Sequence, residues 1–335
     1  MGWQVTTVAA RAGRYLGLRR RWRAASEKAR ARAAARTITP GPDVVARVAE
    51  RIVERLPEHE RFATRKALVD LPKDRLHVAR RALATGASPA AVRSLIREWP
   101  TFGEMERSIM IDPIGRADAG PVAWGETAAR QVDDTTCGAA TMAMMTLIGD
   151  PFVGLWLASG RIQHRRVPPE VARTPGWSRM STIEDRWNGL QRAIHRHTTR
   201  FGLGPFPWPR SLGTPPWRVN DTLRYAGLRF RGAVVDDTDD ADVSALIDHA
   251  AYAIADGIPV PAYAAGDSDR GLDTAIPRHV VLFTHRSDNG FLAYEPSTAA
   301  LHFVADNELR DGGAKVAAFG GWSHLAWMVL PRARR

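Results

Sequence analysis

Apolar residues along the first third of the chain recur at three- and four-residue steps. Asp43 precedes Val44, Val45, Val48, Ile52 and Leu56, a spacing that lines one face of a helix with Asp43 as its N-cap. A second helix is expected from about 74 to 83. A third is opened by Ser88 and Pro89, a cap and first-turn pair, and carries Val92, Leu95 and Ile96. Residues 41–100 therefore predict a small helical bundle. The stretch WPTFGEMERSIMIDPIGRADAGPVAWG is rich in Gly and Pro and predicts a linker over 101–120.

The pattern changes from residue 121, where a second domain is expected to run to 335. GAATMAMMTLIG is apolar nearly all round and predicts a buried helix. Residues 160–180 carry no periodicity. Ser181 and Glu184 have capping-box spacing, opening a helix to about 198. FGLGPFPWPRSLGTPPW reads as a loop. A helix over 217–225, a strand over 228–235 and a helix over 242–256 follow. Five strand-like runs then crowd together: IPVPAYAA, RHVVLFTHR, GFLAYEP, ALHFV and HLAWMVL. Helices first and antiparallel strands after them indicate the α+β class. There is no internal repeat.

Composition narrows the setting. The chain has 335 residues, 44% hydrophobic and 25% charged, an ordinary globular balance. No run approaches the roughly 18 apolar residues that span a bilayer, so no integral membrane segment is expected. VTTVAA is too short for the apolar core of a signal peptide. A single cysteine excludes an intramolecular disulfide. A cytoplasmic location is the expectation, with export that needs no cleaved signal left open. The first 40 residues hold nine Arg, one Lys and one Glu, so most of the net +11 sits there. This segment, 1–40, reads as a solvated helix or disordered arm, or as contact for an acidic partner. Nucleic acid is not the expected partner.

Cys137, the lone thiol, sits in QVDDTTCGAA, with a polar turn before it and a helix after it. A helix N-terminus favours negative charge, and an imidazole nearby would make a thiolate. The alternative is a small buried hydrophobe. Gln131, six residues upstream, could set a side-chain amide beside the Cys137 N–H, and two such donors make an oxyanion hole. His279 opens the most strand-like run, and Glu295 ends the next one. Adjacent antiparallel strands joined by RSDNG would bring the two side by side, where a carboxylate orients an imidazole; two solvent-facing strand residues are the plainer alternative. His195 and His197 are two apart on an expected helix and face different ways, so no metal is expected, and no cofactor. Asp133 and Asp134 could cap the helix that Cys137 begins or repel acidic substrates, and the cap is the expectation.

QVDDTTCGAA, IPRHVVLF and AYEPSTAALHFV together resemble the papain-like cysteine peptidases. Within them they are most similar to the bacterial peptidases that process double-glycine bacteriocin leaders and to their stand-alone relatives. The resemblance covers roughly 121–330. It implies a papain-like fold in which a helical part carrying the cysteine packs on an antiparallel sheet carrying the histidine and the acid. It further implies Cys137 as nucleophile, His279 as base, Glu295 as third member and Gln131 as oxyanion donor, with a peptide or protein as substrate. Three departures stand out: Glu295 replaces the usual Asp, about 60 residues (155–215) are inserted, and no membrane or ATP-binding module is present. The leader-peptide substrate therefore does not carry over. Two rivals remain: a catalytically silent peptide-binding module, and a deamidase or transglutaminase using the same trio.

Overall fold

In a computed structural model of the chain, residues 5–15, 43–266, 277–310 and 313–332 are described. Most of the expected arm, from residue 16 to 40, lies outside them. Helix α1 (Val5–Tyr15) is followed by α2 (Val44–Glu54), α3 (Glu58–Val69), α4 (Lys73–Ala84) and α5 (Pro89–Glu98). The Asp43 carboxylate accepts the Ala46 N–H at 2.7 Å, and Ser88 Oγ accepts that of Ala91 at 3.2 Å, so both expected caps form. α3 carries charges on most of its surface and buries little beyond Thr64, so its apolar period is too faint to read.

The expected linker over 101–120 is corrected. It contains α6 (Glu104–Ile111), whose Glu106 carboxylate accepts the Gly103 N–H at 2.7 Å. Ile109 and Met110 are buried. The helix is short and is flanked by Gly and Pro on both sides, which conceals its period in the sequence. α6 packs on α8 (Pro151–Ser159), where a Cβ on Gly154 would stand 3.3 Å from the Ile109 carbonyl oxygen. The helical region does not close a core of its own. Val53, Leu83, Leu95 and Trp99 share one apolar cluster with Phe152 and Leu155 of α8.

Three two-residue strands, β1 (Gly120–Pro121), β2 (Ala123–Trp124) and β3 (Thr127–Ala128), lead into α7 (Cys137–Gly149). The inserted stretch then folds as α8, a four-residue turn of helix α9 (Pro169–Ala172) and α10 (Ile183–Thr199). The capping box of α10 is Thr182 with Asp185, one residue later than Ser181 with Glu184. After α11 (Pro216–Thr222) come β4 (Phe230–Val234), α12 (Asp240–Ala255), β5 (Val260–Ala265), β6 (His279–Ser287), β7 (Gly290–Glu295), β8 (Ala300–Ala305) and β9 (His324–Pro331). The class is α+β, with a seven-stranded antiparallel sheet in the order β1-β8-β7-β6-β5-β9-β4.

β5 is buried along its whole length, and β6 over its first five residues. α7 is buried on nearly every side because it lies between β6 and α10. Its Thr141 hydroxyl donates to the Val280 carbonyl oxygen at 2.9 Å, which anchors the helix to the strand that begins with His279. Among the described residues no single helix is long and apolar enough to cross a membrane.

At the bend between α7 and α8, Asp150 is wholly buried. Its carboxylate accepts the Phe152 N–H at 3.0 Å, and Arg224 donates to it at 2.7 Å and to Glu170 at 2.9 Å. Burial opposes ionisation of Glu170, and the Arg224 guanidinium reverses that and lowers its pKa. Removing the arginine strips Glu170 of its bidentate partner and leaves to buried Asp150 the more distant Arg166, 3.5 Å away. Arg224→Ala is expected to cost roughly 3–5 kcal/mol in chemical denaturation, the usual result of breaking a buried ion pair from one side.

Candidate active site

The turn before α7 is tied to the sheet edge by its own backbone. Val122 N–H donates to the Ala299 carbonyl oxygen at 2.7 Å, and Gln131 N–H to that of Pro296 at 2.8 Å. The buried Tyr294 hydroxyl donates to the Ala129 carbonyl oxygen. From the inserted stretch, Trp187 Nε1 donates to the Arg130 carbonyl oxygen at 2.7 Å, and Gln191 Oε1 accepts the Val132 N–H at 3.1 Å. These bonds deliver Cys137 to the end of the sheet where Glu295 finishes β7.

Cys137 is the first residue of α7 and is 1% exposed. Its Sγ–H donates to the Arg278 carbonyl oxygen at 3.4 Å, one residue before His279. The backbone N–H groups of Cys137, Gly138 and Ala139 have no acceptor among the described residues, as expected for a helix start with no side-chain cap. Gly138 permits the close approach: a Cβ there would lie 2.7 Å from Thr214 Cβ and 3.3 Å from Val280 Cγ2. Tyr263 Oη donates to the Thr214 carbonyl oxygen at 3.0 Å. Burial and the proximity of Cys137 push the Tyr263 pKa well above its usual range, so the phenol stays neutral.

His279 Nε2 lies 2.7 Å from Glu295 Oε1. A carboxylate only accepts, so Nε2 carries the proton of that bond and Nδ1 is the ring nitrogen left for the thiol. Glu295 is wholly buried and saturated with donors. Ser297 N–H reaches Oε1 at 2.8 Å, while Ser297 Oγ, Thr298 N–H and Thr298 Oγ1 reach Oε2 at 2.8, 2.7 and 2.7 Å. Burial alone would raise its pKa, but the bond and charge of His279, followed by Ser297 and Thr298, bring it down to about 2. For His279, burial favours the neutral ring. The proximity of Cys137 and then the bond to Glu295 outweigh it and raise the pKa to about 9.

A β-bulge sets this meeting of side chains. The hairpin closes with Ser287 opposite Gly290, Arg286 opposite Phe291 and His285 opposite Leu292; beyond it Phe283 faces Ala293 and Leu282 faces Tyr294. Thr284 is the extra residue, and its hydroxyl donates to the Leu292 carbonyl oxygen at 3.1 Å. Continued without the bulge, the ladder would put Glu295 opposite Leu282, three residues from His279 and on the other face. With it, Glu295 falls opposite Val281, two residues away and on the same face. The expected side-by-side pair is thus a diagonal one.

Gln131 shares the turn with Cys137, but its Nε2 donates to the Asp133 carbonyl oxygen at 3.0 Å. One of its two amide N–H groups is therefore committed, leaving the other as the candidate oxyanion donor. The expectation that Asp133 and Asp134 cap α7 is corrected. Asp133 Oδ1 accepts Thr135 N–H at 2.9 Å and Thr135 Oγ1 at 2.7 Å, and the cap residue of α7, Thr136, makes no side-chain bond to the helix. The Asp133 side chain is too short to span the intervening turn and satisfies it instead.

Several contributors to the site were not anticipated. Gly320 stands in the left-handed region at φ 62°, where a Cβ would approach His279 Nε2 to 2.9 Å and Glu295 Oε1 to 3.3 Å. The Gly-Gly pair at 320–321 and the Ser-Thr pair after Glu295-Pro296 are their sequence signals. His195 lies against the Asp133–Thr135 turn, and burial lowers its pKa, which the charge of Asp133 only partly offsets. Among the described residues no group of His, Cys, Asp or Glu could hold a metal ion. No protein-family model, curated protein or solved structure matches this chain.

The pair has a definite pH signature. A histidine raised from 6.5 to about 9 stabilises the fold fully below about pH 6.5, and this contribution is lost as pH rises through about 9. A glutamate lowered from 4.5 to about 2 contributes above about pH 4.5 and loses its contribution as pH falls through about 2. Glu295→Gln is expected to lower the His279 pKa in an NMR titration and to flatten the loss of thermal stability on the alkaline side.

Proposed function

We propose that the protein is a thiol hydrolase of papain-like fold. More particularly, we propose a peptidase that opens a peptide or isopeptide bond through an acyl-enzyme on Cys137. The observation that carries this reading is a buried, fully hydrogen-bonded His279–Glu295 pair beside the lone thiol, which itself stands at a helix start. Structural cysteines do not need an imidazole held at elevated basicity next to them.

On this reading His279 takes the thiol proton at Nδ1, and the resulting imidazolium is steadied by Glu295 through Nε2. The Cys137 sulfur attacks the scissile carbonyl carbon, and the oxygen that becomes negative is met by the Cys137 N–H and the uncommitted N–H of Gln131. His279 then gives its proton to the departing amine as the C–N bond breaks, leaving a thioester. Water, losing a proton to His279, attacks that thioester and releases the acid and the thiolate. An amine entering in place of water would give crosslinking, and a glutamine side chain as substrate would release ammonia.

One observation favours a second reading, a catalytically silent module that binds peptides. Cys137 is only 1% exposed and its Sγ–H is engaged by Arg278, whereas a nucleophile must come within bonding distance of a substrate carbon. Alkylation by iodoacetamide against pH separates the two. The peptidase reading expects Cys137 to react at least about tenfold faster than free cysteine below neutral pH, as activated thiolates do. A rate no faster than that of free cysteine supports the silent module. Incubating a peptide library with wild type and with Cys137→Ala, followed by mass spectrometry, is expected to show products with the first protein alone. Released ammonia or new crosslinks without cleavage would redirect the assignment to acyl transfer.

A further inference from the structure

The inserted stretch builds a groove of about 690 Å³ at the C-terminal end of α10, lined by Arg173, Arg196, His197, Arg200, Trp208 and Arg210 among others. The four arginine side chains are exposed, and none of them forms an ion pair with a carboxylate of the described residues. The nearby carboxylates are engaged elsewhere: Glu170 is held by Arg224 at 2.9 Å, and Asp221 lies 3.8 Å from Arg218. Like charges gathered on one groove repel one another; Glu170 offsets part of this at Arg173 and His197, and Arg200 lies over the Phe201 ring at 5.0 Å. His197 registers the same field: burial, then Arg173 and Arg218, lower its pKa.

The groove has fixed walls. Trp208 N–H donates to the Thr199 carbonyl oxygen at 2.8 Å, and Trp217 Nε1 to that of Gly202 at 2.7 Å. The two indoles meet edge to face at 5.2 Å. Trp208 Nε1 is buried with no acceptor among the described residues. Phe201 and Phe206 stand 47% and 68% exposed along the same loop. Exposed arginine forks set among aromatic rings are the chemistry of a site for carboxylates on a peptide chain.

One wall of the groove is tied through the chain to the turn before the thiol. Arg210 opens a short 3₁₀ turn ending at Leu212, and the next residue, Gly213, packs on the Thr135 carbonyl oxygen at 3.5 Å from its Cβ position. Thr135 is two residues before Cys137. The Ser211 carbonyl oxygen accepts from Arg278 at 3.1 Å, whose own carbonyl oxygen holds the Cys137 sulfur. We propose that this groove receives Asp or Glu side chains of the peptide that Cys137 cleaves, away from the scissile bond, and so selects acidic substrates. The proposal rests on the peptidase reading for the word substrate, while the docking of acidic peptide stands on the groove alone. A nucleic-acid strand is the lesser fit, because it calls for a longer stripe of cations for successive phosphates than the four arginines lining this groove.

Fluorescence anisotropy with the full-length Cys137→Ala protein tests the groove without turnover. The probes are labelled deca-glutamate, deca-serine and deca-thymidylate. Deca-glutamate is expected to bind, deca-serine not to, and combining Arg196→Gln, Arg200→Gln and Arg210→Gln is expected to weaken deca-glutamate about tenfold or more, the scale of losing charge-assisted hydrogen bonds. All three side chains are exposed, so circular dichroism is expected to show an unchanged fold. Equal affinity in the triple variant overturns the proposal, as does tighter binding of deca-thymidylate that the same substitutions abolish. Library cleavage without deca-glutamate binding sinks the groove and leaves the peptidase reading. Binding lost in the triple variant, with no cleavage by wild type, supports the groove and sinks the peptidase reading.

Discussion

A carboxylate removed entirely from water must be given hydrogen bonds, or the fold pays its desolvation. Glu295 receives five, four from Ser297 and Thr298 and one from the imidazole of His279. Much of the surrounding architecture serves that need. Pro296 turns the chain so that the next two residues fold back onto the carboxylate, and the Pro296 carbonyl oxygen holds Gln131. Gly320 lacks the side chain that would otherwise wedge between His279 and Glu295. With its oxygens saturated, Glu295 stays ionised, and the imidazole beside it is held in one orientation with one nitrogen facing the thiol.

The helix that begins with Cys137 depends on small and polar residues in the same way. Gly138 allows Thr214 and Val280 against the first turn, and Thr141 bonds the strand directly. Helix and sheet can then meet at the sulfur without a gap. The inserted stretch is part of this assembly: Trp187 and Gln191 hold the turn before Cys137, and Thr214 accepts the Tyr263 hydroxyl. It supplies walls to the site and carries the arginine groove at its far end.

The elements most legible in the sequence were those with a strong local signature. Asp43 and Ser88 announced their helices, the five apolar runs announced the strands, and the polar turn before an apolar helix marked Cys137. α6 was hidden by its brevity and by the Gly and Pro around it, and α3 by the charges on its surface. The proximity of His279 and Glu295 was readable from two strands and a turn. Their shared face was not, because it depends on Thr284 bulging out of the ladder, and nothing about a threonine in a strand signals that. Gln191 and Thr214 were out of reach for another reason: each contributes through a contact formed only when distant stretches meet.

Thr284 gives the hairpin an arithmetic parity. Between His279 and the turn, removing one paired residue would swap the imidazole to the opposite side of the sheet, and removing two would return it. The turn at Asp288 and Asn289 lies outside the ladder and is indifferent to such counting. Length variation across this hairpin should therefore accumulate at its tip, while the stem tolerates change only in even steps.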